Sequence, residues 1–309
     1  METRSVGPLS VSVIGLGCNQ VGTTCDASKS RAVIHAALDH GITLFDTADE
    51  YGDGRSETFL GEALRGRRDE VAIASKFGCP MGNDVLKSGA SARWITQAVE
   101  DSLRRLGTDR IDLYQLHFPD PNVPIEETLA ALDLLVRQGK VRAIGCCNLS
   151  APEIHEAAAA ARAEGLHTFA SAQTKLSLLR QERLRDVAPA CATEGMALIP
   201  YFPLASGLLT GKYRRDMPPP PGSRLADNVA PEVAAKVLSA ETFDRLEALE
   251  ARARAHGRTL LDLAIAWLTS HQIVGSVICG ATNADQVARN VMAGAWRLDP
   301  ATLDSLTAP

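Results

Sequence analysis

Three apolar runs in this 309-residue chain each lead into a side chain that can carry charge: "TLFDTAD" into Asp46, "VAIASKF" into Lys76 and "DLYQLHF" into His117. Tyr51 follows Asp46 by five residues, in "LFDTADEYGDGRSE". A carboxylate, an ammonium, an imidazole and a phenol gathered in one place can pair charges and move a proton. Taken singly, each has an ordinary explanation: Asp46 can cap a turn, Lys76 can reach solvent and His117 can be satisfied in a core. Three apolar strands ending this way change the argument, because such groups are costly to bury unless they pair. Asn148 and Gln173 extend the pattern, near the ends of "VRAIGCCN" and "FASAQTK".

What must position these residues is a succession of short strands and longer helices. "SVIGLGC", "TLFDTAD", "VAIASKF", "DLYQLHF", "VRAIGCCN", "FASAQTK", "MALIPYF" and "GSVICGA" are short and apolar, as doubly buried strands are. Helical patterns lie between them. In "SARWITQAVEDSLRRLG", Ser91 can cap the start, Ile95, Val99, Leu103 and Leu106 recur at helical spacing, and Gly107 can end the helix. "IEETLAALDLLVRQGK" and "NADQVARNVMAG" follow the same logic, and Trp94, Trp267 and Trp296 read as packing residues on helices. Eight such units predict a closed (β/α)8 TIM barrel forming one domain over residues 1–309, although an open doubly wound sheet shares the local pattern. "GLGCNQVG" has the wrong glycine spacing for the dinucleotide fingerprint of an open sheet. A barrel, by contrast, collects the carboxyl ends of its strands at one mouth.

Composition narrows the class. A net charge of -5 offers no basic face for nucleic acid. The amino terminus "METRSVGPLS" lacks a basic region followed by an apolar one, and no apolar run reaches membrane-spanning length. Seven cysteines without a C-x-x-C pair argue against a disulfide framework and a zinc ribbon, and fit reduced thiols in the cytoplasm. Cys146 and Cys147 are neighbours on a strand and should face opposite ways. No metal-ligand motif is present, and no heptad array assigns an oligomeric state.

The motifs "LFDTADEYG", "ASKFG", "IDLYQLHFPD", "AIGCCNLS", "YFPLASGLLTGKY" and "CGATNADQVARN" resemble, in order, the signatures of the aldo-keto reductases. The resemblance covers nearly the whole chain. It implies a (β/α)8 barrel that binds NADPH and transfers hydride to the carbonyl of a small aldehyde or ketone, sugar carbonyls being among the candidates. Asp46, Tyr51, Lys76 and His117 match the catalytic tetrad. Tyr51 would deliver the proton, and a nearby Lys76 ammonium would bring its pKa, normally about 10, toward working pH. Asp46 would hold Lys76, and His117 would donate a hydrogen bond to the carbonyl oxygen.

The same resemblance implies cofactor contacts. Asn148 and Gln173 match positions that hold the nicotinamide carboxamide, and Tyr201 the aromatic that stacks on its ring. Cys147 stands where many members have serine, exchanging a good hydroxyl donor for a weak thiol. Gly17 and Cys18, at the end of the first strand, and Phe202, after the seventh, would edge the cofactor, with Asn19, Phe77 and Phe118 at the substrate rim. The long segment "LASGLLTGKYRRDMPPPPGSRLAD" should lie over the cofactor, its prolines preventing regular structure. Its backbone at Leu204, Ser206, Gly207 and Leu208 resembles a pyrophosphate-binding stretch, and Lys212 and Arg224 match phosphate-facing cations. Gly280, Thr282, Gln286 and Asn290 resemble the adenosine-binding turn and helix start, where backbone N–H groups face anions. Some members carry a cation at the positions of Gly280 and Gln286, so preference for NADPH over NADH would rest on Arg224 and Lys212, with Arg289 a helper. Two rivals remain: an aldolase using Lys76 as a Schiff-base amine, and a non-catalytic NADPH-binding sensor for a partner protein, as among relatives associated with ion channels.

Overall fold

The chain begins with a feature the strand reading omits. In "TRSVGPLSVS", apolar and polar residues alternate about Gly7, and the segment forms an antiparallel hairpin of β1 (Thr3–Val6) and β2 (Leu9–Ser12). Gly7 makes the turn possible, with φ +55°, in the left-handed region that favours glycine. The computed structural model describes every residue except Asn83, Val85, Asn228, Ala308 and Pro309.

Eight strands then alternate with helices: β3 (Ile14–Gly17), β4 (Leu44–Asp46), β5 (Ala72–Phe77), β6 (Ile111–Leu116), β7 (Val141–Cys147), β8 (Ser171–Lys175), β9 (Ala197–Tyr201) and β10 (Val277–Gly280). All pair parallel with their neighbours, and β10 pairs with both β3 and β9, so the sheet closes into a barrel. The open-sheet alternative is thereby excluded. The strands are nearly all buried because helices cover them outside and side chains fill them inside. One end of the barrel interior is apolar: Val6, Leu9 and Val11 of the hairpin pack there with Leu44, Ala72, Leu113 and Ile199. The hairpin thus closes the end opposite the carboxyl termini of the strands.

The helices follow their sequence signals. In the helix Ala92–Leu106, Ser91 accepts from the Trp94 amide, Ile95, Val99, Leu103 and Leu106 are buried, and Gly107 ends it with φ 62°. Among the described residues no helix is long and apolar enough to cross a membrane. The segment after β9 departs from expectation, since it contains a 3-10 stretch over Ala205–Thr210 and a short helix, Arg224–Asp227. The run of prolines at 218–221 is itself outside both, so proline limits regular structure only locally.

The loop after β4 runs into the helix Arg55–Ala63, which packs closely on the helix Ala92–Leu106 at Gly61. A Cβ at Gly61 would fall on the Leu106 carbonyl, a backbone group that cannot swing away. Gly61→Ala should therefore lower stability by about 1–3 kcal/mol in urea unfolding. An unchanged urea midpoint would show that this helix pair has slack.

Candidate active site

Strand alternation puts Asp46, Lys76, Gln115 and Gln173 inside the barrel near its carboxyl mouth. Lys76 is only 1% exposed, and its ammonium donates to Asp46 Oδ2 (2.7 Å), the Thr47 carbonyl (2.7 Å) and the Tyr51 hydroxyl (3.3 Å). Its three hydrogens are all engaged. Asp46 Oδ1 accepts from Gln173 (2.8 Å) and Gln115 (3.2 Å), so both carboxylate oxygens have partners. Burial works against the Lys76 charge, but Asp46 and Tyr51 beside it hold it protonated above the ordinary lysine range.

The loop bearing Tyr51 is tied down at several points. Ser56 Oγ donates to the Cys18 carbonyl (2.8 Å) and lies 2.8 Å from Thr47 Oγ1, while the Ser56 amide donates to the Tyr51 carbonyl (3.2 Å). Farther along, the buried Glu57 carboxylate accepts from Ser75 of β5 and from Arg105. The hydroxyl end of Tyr51 consequently lies deep beside Lys76. Burial pushes its pKa above the usual phenol value, and the opposing pull of Lys76 does not cancel this. The expectation of a phenol tuned toward neutral pH is corrected accordingly: burial outweighs Lys76, and the Tyr51 phenol is protonated near pH 7.

His117 follows β6 and is 8% exposed, with its ring edge-on to Tyr51 at 6.0 Å between centroids. Burial, reinforced by Lys76, lowers its pKa to about 3, so the imidazole is neutral near pH 7. Asn148 takes a left-handed conformation (φ 63°) after β7, which asparagine tolerates. Its amide donates to the His117 carbonyl (3.0 Å), and its oxygen accepts from the Tyr201 hydroxyl (2.9 Å).

These groups open on a cavity of about 780 Å³. Gly17, Asn19, Asp46, Tyr51, His117, Phe118, Asn148, Gln173, Tyr201 and Phe202 line it, as do Leu204, Ser206, Gly207, Lys212, Arg224, Gly280, Thr282, Gln286 and Asn290. Lys76 stands just behind this wall. Three other expected residues are not brought to it. Phe77 is one position beyond the inward-facing Lys76 and points the other way, against Tyr114 (4.9 Å between ring centroids). Cys18 likewise follows the cavity-lining Gly17 and is fully buried, and Leu208 belongs to the apolar core under the loop. Cys147 faces Gln115 across the barrel interior and Cys146 faces the Ser171 carbonyl, as alternation required.

Beyond the tetrad the cavity becomes cationic. Lys212, Arg224 and Arg289 line it without a carboxylate partner among the described residues, whereas most other arginines are ion-paired. Arg224 lies over the Phe202 ring at 5.3 Å. Phe202, Ala205, Ser206 and Gly207 all have positive φ, so the loop backbone here is held in a strained conformation. Opposite, Asn283 caps the helix Ala284–Ala293, and Gln286 accepts from the Thr282 amide (2.8 Å). Sequence reasoning missed Gln115, although it lies two positions before His117 on an alternating strand; it also missed Glu50, Gln20 and Thr24 on the cavity wall.

Comparison with known proteins gives a family context. The model of the aldo/keto reductase family matches residues 13–308. The chain is 34% identical to Aldo-keto reductase YhdN of Bacillus subtilis (strain 168), over 97% of this chain and 90% of that one. It is 33% identical to Probable aldo-keto reductase 1 of Glycine max (93% and 82%), and 32% identical to a Probable voltage-gated potassium channel subunit beta of Arabidopsis thaliana (95% and 91%).

The neutral state of His117 has a stability consequence. Its folded pKa of about 3 lies below that of a free imidazole, so its contribution is fully present above the unfolded value and is lost as pH falls. Between pH 7 and pH 5 the unfolded chain gains a proton here that the folded chain refuses, costing about 2 kcal/mol. His117→Gln should escape this loss, so urea unfolding at the two pH values should shift in its favour by that amount relative to the parent. A pH-independent difference would mean that folded His117 titrates normally.

Proposed function

The chain belongs to the aldo/keto reductase family, and from that membership we propose that it is an NADPH-dependent reductase of small aldehydes or ketones, sugar carbonyls included, with Tyr51 as proton donor. The family is one of oxidoreductases that reduce carbonyls. The observation that carries the finer reading is the 3.3 Å contact between the Tyr51 hydroxyl and a Lys76 ammonium whose other hydrogens are already committed.

Reduction of a carbonyl needs a hydride at carbon and a proton at oxygen, and a nicotinamide cofactor, when bound, supplies the hydride. Tyr51 and His117 stand together on the cavity wall, where a carbonyl oxygen can meet both. The neutral imidazole donates an N–H to that oxygen and stabilises its growing negative charge. Tyr51 then passes its phenolic proton to the same oxygen, and Lys76 stabilises the phenolate left behind. Asp46 keeps Lys76 charged and aimed. Phe118, half exposed and stacked on His117, and Asn19 form the rim that meets the rest of the substrate.

The residues present fit a phosphorylated dinucleotide, because Lys212, Arg224 and Arg289 line the cavity without a carboxylate partner among the described residues. Gln173 would hold the nicotinamide carboxamide through its carbonyl oxygen, its amide being committed to Asp46, with Asn148 beside it and Tyr201 against the ring. The loop from Leu204 to Gly207, with Lys212, would hold the pyrophosphate. Gly280, Thr282, Gln286 and Asn290 would receive the adenosine, and Arg224, assisted by Arg289, its 2'-phosphate. A Schiff-base role for Lys76 is disfavoured, since its ammonium is stabilised and has no free lone pair. The channel-subunit relative supports a second reading, an NADPH-binding sensor of a partner protein, which differs from the first in turnover. The seven free cysteines are in keeping with a cytoplasmic site of action.

Tyr51→Phe removes the hydroxyl, and with it the transferable proton and one acceptor of the Lys76 ammonium. It should lower kcat for carbonyl reduction by at least about 100-fold while leaving NADPH affinity nearly unchanged. Near-parental turnover would sink the role given to Tyr51. Arg224→Ala should weaken NADPH by about 1.5–3 kcal/mol and NADH far less, read by tryptophan fluorescence titration. Equal losses for the two cofactors would remove Arg224 as the determinant of preference.

A further inference from the structure

One cluster beside the cavity shares His117 with the chemistry above, while its other two members have no part in it. A carboxylate oxygen of Glu50, Sγ of Cys79 and an imidazole nitrogen of His117 lie within 4.8 Å of one another. They come from the loops after β4 and β5 and from the end of β6, three adjacent strands, so barrel closure itself brings them together. No sequence motif announces such a set, because its members are about 30 and 40 residues apart along the chain. His117 also has unused capacity: its Nδ1 is buried without a hydrogen-bond partner among the described residues.

We propose that Glu50, Cys79 and His117 form a binding site for a thiophilic divalent cation, zinc above all, whose occupation shuts off carbonyl reduction by engaging His117. The donor set decides the metal class. Thiolate, imidazole and carboxylate are zinc ligands, whereas magnesium and calcium take oxygen donors. Bond lengths to zinc of about 2.0–2.3 Å in a tetrahedron separate ligand atoms by about 3.3–3.8 Å, so the cluster needs to contract by only about 1 Å. Glu50 and Cys79 are partly exposed residues on loops, which leaves them room to do so.

Charge favours the same metal. A divalent ion with one carboxylate, one thiolate and a neutral imidazole is electrically neutral, an arrangement that the nearby Lys76 ammonium tolerates. Cys79 faces Glu50, Asp49, Lys76 and His117. Binding replaces the Cys79 S–H bond with a metal–sulfur bond and releases that proton to solvent. Glu50 and His117 both line the cavity. A zinc ion there occupies the ground on which the carbonyl oxygen must sit.

Cobalt(II) is the probe, because a thiolate ligand gives it a charge-transfer absorption. Titration of the whole protein should show that band at one cobalt per chain; Cys79→Ser should lack it, and Cys25→Ser, which alters a buried cysteine elsewhere, should keep it. A parent without the band, or a Cys79→Ser variant that keeps it, overturns the site. Should Cys79→Ser fail to fold, Glu50→Gln provides the second test, with an expected loss of at least about tenfold in cobalt affinity; unchanged affinity there overturns the site equally. The inhibitory effect rests on the reductase reading. Zinc should stop aldehyde reduction reversibly to chelator, and Cys79→Ser, with parental turnover in the absence of zinc, should need at least about ten times more. Zinc binding without inhibition would overturn the regulatory half. If no carbonyl is reduced at all, the reductase reading fails, and the cobalt spectrum still decides the site.

Discussion

A lysine ammonium with 1% exposure inside a barrel is the constraint from which the rest of this structure follows. Leaving such a charge unpaired would cost several kcal/mol, so the interior around it must be polar and fully connected. Asp46, the Thr47 carbonyl and Tyr51 take its three hydrogens, and Gln115 and Gln173 satisfy the other side of Asp46. This divides the barrel along its axis. The hairpin end of the interior is filled with apolar side chains, and the carboxyl end holds Lys76 and its partners.

Burial sets the protonation of the other two tetrad members in opposite directions with one result. It raises the phenol of Tyr51 and lowers the imidazole of His117, so both are neutral hydrogen-bond donors near pH 7. The site therefore contains one ion pair and two neutral hydrogen-bond donors. Rigidity comes from outside the tetrad. Ser56 ties the Tyr51 loop to the end of β3, and Glu57 anchors the next helix to β5 beside Lys76. These links restrict the movement of Tyr51 and Lys76 relative to each other.

The barrel and the gathering of Asp46, Tyr51, Lys76 and His117 were legible because strand ends and the residue types upon them are local signals. Asp46, Lys76 and His117 could be placed at one mouth once eight strands were counted. Side-chain direction was harder. Phe77 and Cys18 read as rim residues by proximity, yet each lies one position from an inward-facing neighbour and so faces away. Gln115 was readable by the same alternation and was passed over as part of an apolar strand. The magnitude of burial at Tyr51 was not legible at all, since it depends on packing between elements distant in sequence. The hairpin went unread for another reason: its strands are four residues each and precede the repeating pattern.

The central claim is that this network supports repeated chemistry and not only the holding of a nucleotide. Steady-state oxidation of NADPH and of NADH, followed in parallel with a panel of aldehydes, ketones and sugars, tests it most directly. The account predicts many turnovers per chain with at least one carbonyl, faster or tighter with NADPH. Carbonyl-dependent oxidation that stops at one equivalent of bound cofactor, or its absence across the panel, would contradict it.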